Sequence, residues 1–285
     1  MSGSRRHRRL RRGPKREPAR SAQPTQAEQP APPAAVERSA ETEPSQGPSA
    51  MPFELADSAE VGPPTADNDT PASDAPPTAP SADELLYRAA LQATAQGEFA
   101  RAKGVYRELL QHNPKHTRGR SNYALLLERT GSYEEAVEQY SECLEQSPDD
   151  PQALVSRGAV LGTLRRYSEA ERDLRRALNG DAGNPDAHYT LGVVIARKGL
   201  WHEAIPFLRR TIELDSSRAA AHYHLGEALN HIDDLEGALH CYQRAVELRP
   251  NDSRALYGLG IVLDRMSRPD EAAQMYRRSR ELARQ

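Results

Sequence analysis

The sequence has 285 residues, 22 prolines, 2 cysteines and a formal net charge of −3. No apolar run approaches the roughly 18–20 residues of a membrane-spanning helix, and no apolar core follows the basic N-terminus as in a signal peptide. Two cysteines are too few for a disulfide framework or a thiolate metal site, so we expect an intracellular protein, cytoplasmic or, in a eukaryote, nuclear.

The chain begins with a basic arm, residues 1–20, which carries nine Arg or Lys and one acidic residue. Such a run can contact nucleic acid, an anionic membrane or an import receptor. Leu10 is its only large apolar residue, which disfavours a membrane anchor or a mitochondrial presequence. Without aromatic residues we expect either nonspecific polyanion binding or a plain solubilising tail. The candidate polyanion-binding residues are Arg5, Arg6, Arg8, Arg9, Arg11, Arg12, Lys15 and Arg16.

An acidic linker follows over residues 21–82, with one basic and ten acidic residues. Fifteen prolines lie between Pro14 and Pro80, and Phe53 is the only aromatic residue of the linker. A segment of this composition buries too little apolar surface to offset its ordering entropy, so residues 1 to about 80 are predicted to be disordered. The acidic linker can also fold back and screen the basic arm.

An alanine then recurs every 34 residues without insertion or deletion. The six are Ala102, Ala136, Ala170, Ala204, Ala238 and Ala272. Twelve residues before each stands a small residue: Ala90, Ala124, Gly158, Gly192, Gly226 and Gly260. Four residues after each stands a large one: Tyr106, Tyr140, Leu174, Leu208, Tyr242 and Tyr276. A fixed period of this length is typical of a repeat architecture.

Helix packing explains these columns. Two helices joined by a tight turn pack closely only where small side chains meet, and a large residue one turn further on fills the adjacent groove. The turn carries glycine in three units and the polar Asp233 or Ser267 in two others, as expected at a helix end, whereas Arg165 in the third unit departs from this pattern. Prolines near the unit boundary end the second helix, whereas Pro206 is expected in the first turn of its helix.

These columns resemble the 34-residue unit of the tetratricopeptide repeat (TPR) family. The resemblance implies an all-α fold, a right-handed TPR superhelix (an α-solenoid of helix-turn-helix repeats), preceded by the disordered N-terminal region. The TPR domain is expected over residues 83–285, with repeats 83–116, 117–150, 151–184, 185–218, 219–252 and 253–285. Arg157 stands where later repeats have leucine, and we expect its side chain to extend to solvent.

In the TPR family the first helices line a concave face that binds extended peptides or partner helices, so the resemblance implies a protein or peptide ligand. Helical geometry places Tyr189, Val193 and Ala196 on the face turned away from the second helix. Tyr223 and Tyr257 occupy the same column as Tyr189, which makes a ladder with steps of about 10 Å. The rings either form a recognition surface or simply pack against the neighbouring helix.

Other first-helix residues complete the expected groove. Asn122 is the only match to the asparagine ladder that grips peptide backbones in some family members. The Lys/Asn/Arg clamp that other members use for chaperone tails is absent. His224 lies in the column beside the tyrosines, and Arg197 and Glu227 belong to a balanced set of charges that selects neither an acidic nor a basic partner.

Few residues suggest chemistry. His224, Glu227 and His231 share one helical face, but their spacing matches no established metal motif, so we expect no metal and no other cofactor. Cys143 and Cys241 lie in different repeats, too far apart for a disulfide, and are expected to fill the core. No phosphate loop, nucleophile elbow or paired-carboxylate signature occurs, and no enzymatic activity is expected.

The sequence therefore predicts a non-enzymatic scaffold or adaptor that holds a partner peptide or helix across Tyr189, Tyr223 and Tyr257. The alternative is a nucleic-acid or polyanion tether that acts through the basic arm.

Overall fold

The computed structural model describes residues 80–284, and every regular element in this range is an α-helix. The helices form six helix-turn-helix pairs, and each pair packs on the next. The first helices of the pairs are α1 (Ala82–Ala95), α3 (Thr117–Arg129), α5 (Pro151–Thr163), α7 (Pro185–Arg197), α9 (Ala219–His231) and α11 (Ser253–Arg265). The second helices are α2 (Phe99–His112), α4 (Tyr133–Gln146), α6 (Tyr167–Gly180), α8 (Trp201–Leu214), α10 (Leu235–Leu248) and α12 (Pro269–Leu282).

Each pair is joined by the same tight turn. In all six turns a backbone N–H just past the first helix bonds to the carbonyl five residues earlier, as from Ser132 to Leu127 at 2.8 Å. This bond requires a residue in the left-handed region, which glycine adopts most easily. Three turns use glycine there, but Arg165, Asp233 and Ser267 hold φ values of 58°, 68° and 59°. The turns predicted from sequence are confirmed, and Arg165, which departs from the sequence pattern, adopts the same conformation as the other turn residues.

The small-on-large contact inside each pair is direct. A Cβ added to Gly192 would lie 2.8 Å from Cγ of Leu208, and one added to Gly158 would lie 2.8 Å from Cγ of Leu174. The six periodic alanines of the second helices are all buried. Cys143 and Cys241 are free and buried, as predicted. The first helices therefore need a small residue where the large side chain of the second helix crosses them.

Two local expectations from the sequence are wrong. Pro206 is the sixth residue of α8, past the first turn, so its missing N–H removes a helical bond; its side chain is exposed. Arg157 does not extend to solvent. Its Nε and Nη2 donate to the two carboxylate oxygens of Asp173 at 2.7 and 2.8 Å, and its Nη1 donates to Ser141 Oγ at 3.0 Å. Because Asp173 is buried beside it, Arg157 forms an internal ion pair that links α5 to α6 and α4.

The left-handed turns yield a stability prediction. Ser267→Gly and Arg165→Gly should each raise the free energy of unfolding by roughly 0.5–1 kcal/mol, because the left-handed conformation is strained for residues with a side chain. Gly131→Ala should lower it by a similar amount, since Gly131 has φ 76°. Urea unfolding of the three variants measures the effect. Changes of one sign at all three positions would contradict this account.

The packing glycines yield a second prediction. Gly192→Ala should lower the free energy of unfolding by about 1–3 kcal/mol, because its Cβ would press on Leu208. Gly104, inside α2, has nothing within 4 Å of an added Cβ, so Gly104→Ala is the matched control. That change should raise stability by up to about 1 kcal/mol through helix propensity. Thermal melts of both variants test the contrast, and equal destabilisation would refute it.

Candidate functional site

The predicted tyrosine ladder is built from α7, α9 and α11. His224 lies between the first two tyrosines: its ring centroid is 5.9 Å from that of Tyr189 and 4.9 Å from that of Tyr223. Tyr223 also meets Tyr242 of its own pair edge-on at 5.8 Å. Tyr189, Tyr223 and His224 are half-buried, so the structure brings these three predicted residues together in one aromatic cluster.

Two arginines cover the rings of this cluster. The guanidinium carbon of Arg218 lies 5.3 Å from the centroid of Tyr189, and that of Arg254 lies 5.7 Å from the centroid of Tyr223. Both distances are typical of cation–π interactions. Arg254 belongs to the helix pair that follows the pair of Tyr223, and Arg218 lies directly before α9, the first helix of the pair that follows Tyr189. The rings of Tyr189 and Tyr223 thus help to join successive pairs.

Sequence reasoning did not find Arg218. It occupies the position before α9, where α3, α5, α7 and α11 have His, Asp, Asn and Asp side chains that accept bonds from the helix N-terminus. Arg218 makes no such cap. Its guanidinium instead bonds to Asp186 at 2.7 Å and Asp215 at 3.3 Å. The signal in the sequence is an arginine at a position where the other repeats have a capping residue. Loss of a helix cap costs about 1 kcal/mol, so an arginine at this position indicates a different structural role.

Burial changes the chemistry of the covered tyrosines. Burial raises the pKa of Tyr189 to about 12 and that of Tyr223 to about 12, although neighbouring arginines favour the phenolate. Both hydroxyls are therefore protonated even in alkaline solution near pH 10, where an exposed tyrosine begins to ionise, and they can donate as well as accept hydrogen bonds.

Glu227 provides the negative charge beside the cluster. Nδ1 of His224 lies 3.1 Å from its Oε2. Burial alone would raise the pKa of Glu227, but the bond from His224 and the positive charges of Arg197 and His231 outweigh it, so the pKa lies below its ordinary value. Arg197 is exposed at the end of α7 and forms no ion pair with another residue of 80–284. Its guanidinium is an accessible charge at the edge of the site.

Tyr257 differs from the other two tyrosines of the ladder. It is 48 % exposed, and its ring leans on Tyr276 of α12 at 5.4 Å. The helical-face prediction turned this column away from the second helix, whereas the alternative, in which the rings pack against the neighbouring helix, allows such contacts. Val193 and Ala196, placed by that prediction on the open face, are 2 % and 4 % exposed. Both side chains belong to the buried hydrophobic core of the array rather than to an open face.

The first two repeats carry a smaller polar cluster. Asn122 donates from Nδ2 to the Tyr87 hydroxyl at 2.8 Å, and Tyr87 lies 5.1 Å from the His116 ring. The amide of Asn122 is therefore bonded within the protein, four helices before the tyrosine ladder begins. The structure does not bring Asn122 together with Tyr189, Tyr223 and Tyr257.

His231, which shares a helical face with His224 and Glu227, packs against an aromatic ring instead of joining them. The ring of His231 stacks on Trp201, with centroids 3.8 Å apart and planes 6° from parallel. Between residues 80 and 284 no three His, Cys, Asp or Glu side chains are placed to hold a metal ion. The basic arm, Arg5–Arg16, lies outside the described residues, so polyanion binding stays a prediction from sequence.

Six helix-turn-helix pairs with one repeated small-on-large contact define an α-solenoid. Models of the tetratricopeptide repeat match residues 87–151, 157–219 and 217–285, which together make up more than half of the sequence. The chain belongs to the tetratricopeptide repeat family, and its fold supports a role as a protein–protein interaction scaffold.

Solved structures with the same fold include MamA from Desulfovibrio magneticus RS-1, at 26 % identity and TM-score 0.54, covering 60 % of this chain and 96 % of MamA. PilF from Pseudomonas aeruginosa has 18 % identity and TM-score 0.60, covering 68 % and 88 %. YrrB, described as a TPR protein with an unusual peptide-binding site, has 24 % identity and TM-score 0.50, covering 62 % and 91 %. No curated protein matches the sequence closely enough to count as a relative. None of the helices within 80–284 combines the length and apolar character needed to cross a membrane.

A groove-face carboxyl gives a pH prediction. Burial raises the pKa of Glu128 to about 7. The hydrogen bond that the Tyr140 hydroxyl donates to Glu128, at 3.3 Å, lowers this pKa but does not outweigh burial. The folded state then holds a proton that the unfolded state loses near pH 4.5, so this group makes stability fall as pH rises from about 4.5 to 7.

Glu128→Gln should flatten that part of the stability curve and raise stability most at pH 8. Urea unfolding at pH 5.5 and pH 8 measures it. Glu145→Gln, an exposed residue of the adjacent α4, is the control and should leave the slope unchanged. A slope that survives in Glu128→Gln would show that other groups produce it.

Proposed function

We propose that this protein is a non-enzymatic adaptor that holds an extended segment or a helix of a partner protein on the first-helix face of its last three repeats. The observation that carries the proposal is Tyr257, a large aromatic side chain 48 % exposed at the end of an aromatic ladder. An exposed tyrosine held on a rigid helix offers apolar area and a hydroxyl with little loss of conformational entropy on binding.

The other ladder residues have supporting roles in this proposal. Tyr189 and Tyr223 are held by Arg218 and Arg254 and form a fixed wall next to the open ring. Arg197 is exposed and can bind a carboxylate or a backbone carbonyl of the partner. Glu227, which lies beside His224, then presents a carboxylate that can accept hydrogen bonds from polar groups of the partner.

Tyr257→Ala should weaken binding of groove partners by roughly 10- to 30-fold, as expected for an aromatic hot spot, because it removes the open anchor. Tyr257→Phe should retain most of the affinity if ring area dominates. Affinity enrichment with the full chain and mass spectrometry identifies the partners, and titration of one of them measures the ratio.

Leu85→Ala is the matched control, since Leu85 is 54 % exposed on α1 at the opposite end of the array. Circular dichroism should show all three variants folded. A folded Tyr257→Ala variant that keeps every partner at full affinity would exclude this face as the binding site.

A further inference from the structure

The open part of the ladder is one stripe of α11. Arg254, Tyr257 and Ile261 are spaced three and four residues apart, so they lie on the same side of the helix. Arg254 and Tyr257 are exposed and Ile261 is partly so. We call these three residues the α11 stripe. It pairs an accessible aromatic and aliphatic surface with a cationic end.

The chain contains one segment whose pattern suits such a stripe. Before residue 83 the large apolar residues are few, and most stand alone. The exception is the run MPFELAD, residues 51–57, in which Met51, Phe53 and Leu55 alternate with other residues. In an extended chain alternate side chains point to the same side, so these three would form one apolar edge. When an extended peptide is recognised, its alternate side chains enter pockets of the binding surface.

Charge also favours this pairing. Residues 51–61 carry three acidic and no basic residues. Residues 253–284, which contain the α11 stripe, carry seven arginines and four acidic residues. Opposite local charges of this kind raise the encounter rate and oppose binding of the basic arm at the same place.

The segment is long enough to reach. Residues 58–81 give 24 residues between it and the start of α1. A chain of that length spans up to about 80 Å when extended, at roughly 3.3 Å per residue. Six prolines in this stretch favour extended chain. Five steps between neighbouring helix pairs, at about 10 Å each, come to less than that.

We propose that residues 51–57 bind the α11 stripe of the same chain, with Phe53 against Tyr257, and so compete with the partner protein. This rests on the proposed function, because it uses the same recognition of an extended segment. Tethering gives the segment an effective concentration in the millimolar range, so even weak intrinsic affinity keeps much of the stripe occupied. The protein then carries its own competitor, and a partner must displace it.

The experiment places a photo-cross-linking phenylalanine analogue at position 53 of the full chain, with no partner present. After irradiation, mass spectrometry should find cross-links concentrated in residues 253–265. The same analogue at Val36, an isolated apolar residue of the same acidic linker, is the control and should give several-fold fewer. Adding Tyr257→Ala to the position-53 protein should remove most of the cross-links.

Several results would overturn the proposal. The first is equal cross-linking from positions 36 and 53. The second is a cross-linking pattern that Tyr257→Ala does not change. The third is the formation of cross-links between different chains in a mixture of light and isotopically heavy protein. The last result would make a second copy of the chain the occupant of the stripe.

A synthetic peptide of residues 50–61 should bind the full-length Phe53→Ala/Leu55→Ala variant, whose own segment is disabled, more tightly than the wild type.

The partner assay separates the two proposals. If Tyr257→Ala abolishes partner binding while position 53 gives no specific cross-links, only the self-binding inference fails. If the cross-links form and depend on Tyr257 while partner binding ignores that residue, only the adaptor proposal for this face fails. If both hold, Phe53→Ala/Leu55→Ala should raise partner affinity several-fold.

Discussion

The contact on which the whole array depends is that between a small residue of each first helix and a large residue of its second helix. The 2.8 Å separation between an added Gly192 Cβ and Leu208 shows how little room remains there. This contact sets the distance between the helices of a pair, and the same left-handed turn joins the two helices in all six pairs. Since each pair packs only on its neighbours, repeating one contact every 34 residues builds the entire array.

The identity of the large residue on the second helix also affects which residue stands on the groove face of the first helix. In two of the pairs that carry tyrosine on the second helix, the first helix offers a polar partner: Tyr140 donates to Glu128, and Tyr276 donates to Asp264 at 2.8 Å. In the pair that carries Leu174, the position that corresponds to Glu128 is Gly162. A tyrosine hydroxyl can use an acceptor at this position and a leucine cannot, which accounts for the difference between these pairs. Part of the polarity on the groove face therefore serves the core.

The 34-residue pattern predicted the structural features that lie within one repeat. It missed the features that depend on contacts between two repeats. The helix pairs, the turns and the buried alanines follow from a single 34-residue pattern, and the structure has them. The ion pair of Arg157 with Asp173, the burial of Val193 and the cover of Tyr189 depend on how far one pair is rotated and shifted against the next. That relation is set by many side chains at once, and column patterns do not encode it.

The tyrosine ladder shows the consequence for function. Tyr189, Tyr223 and Tyr257 share one column, yet two of them lie under arginines and the third is open. The column determines the chemistry of the side chain, whereas contacts with neighbouring pairs determine whether a ligand can reach it. Exposure of a repeated residue is thus a property of the interface between units. Residues that bind a ligand in such an array have to be identified from those interfaces, because the repeat pattern assigns the same role to all three.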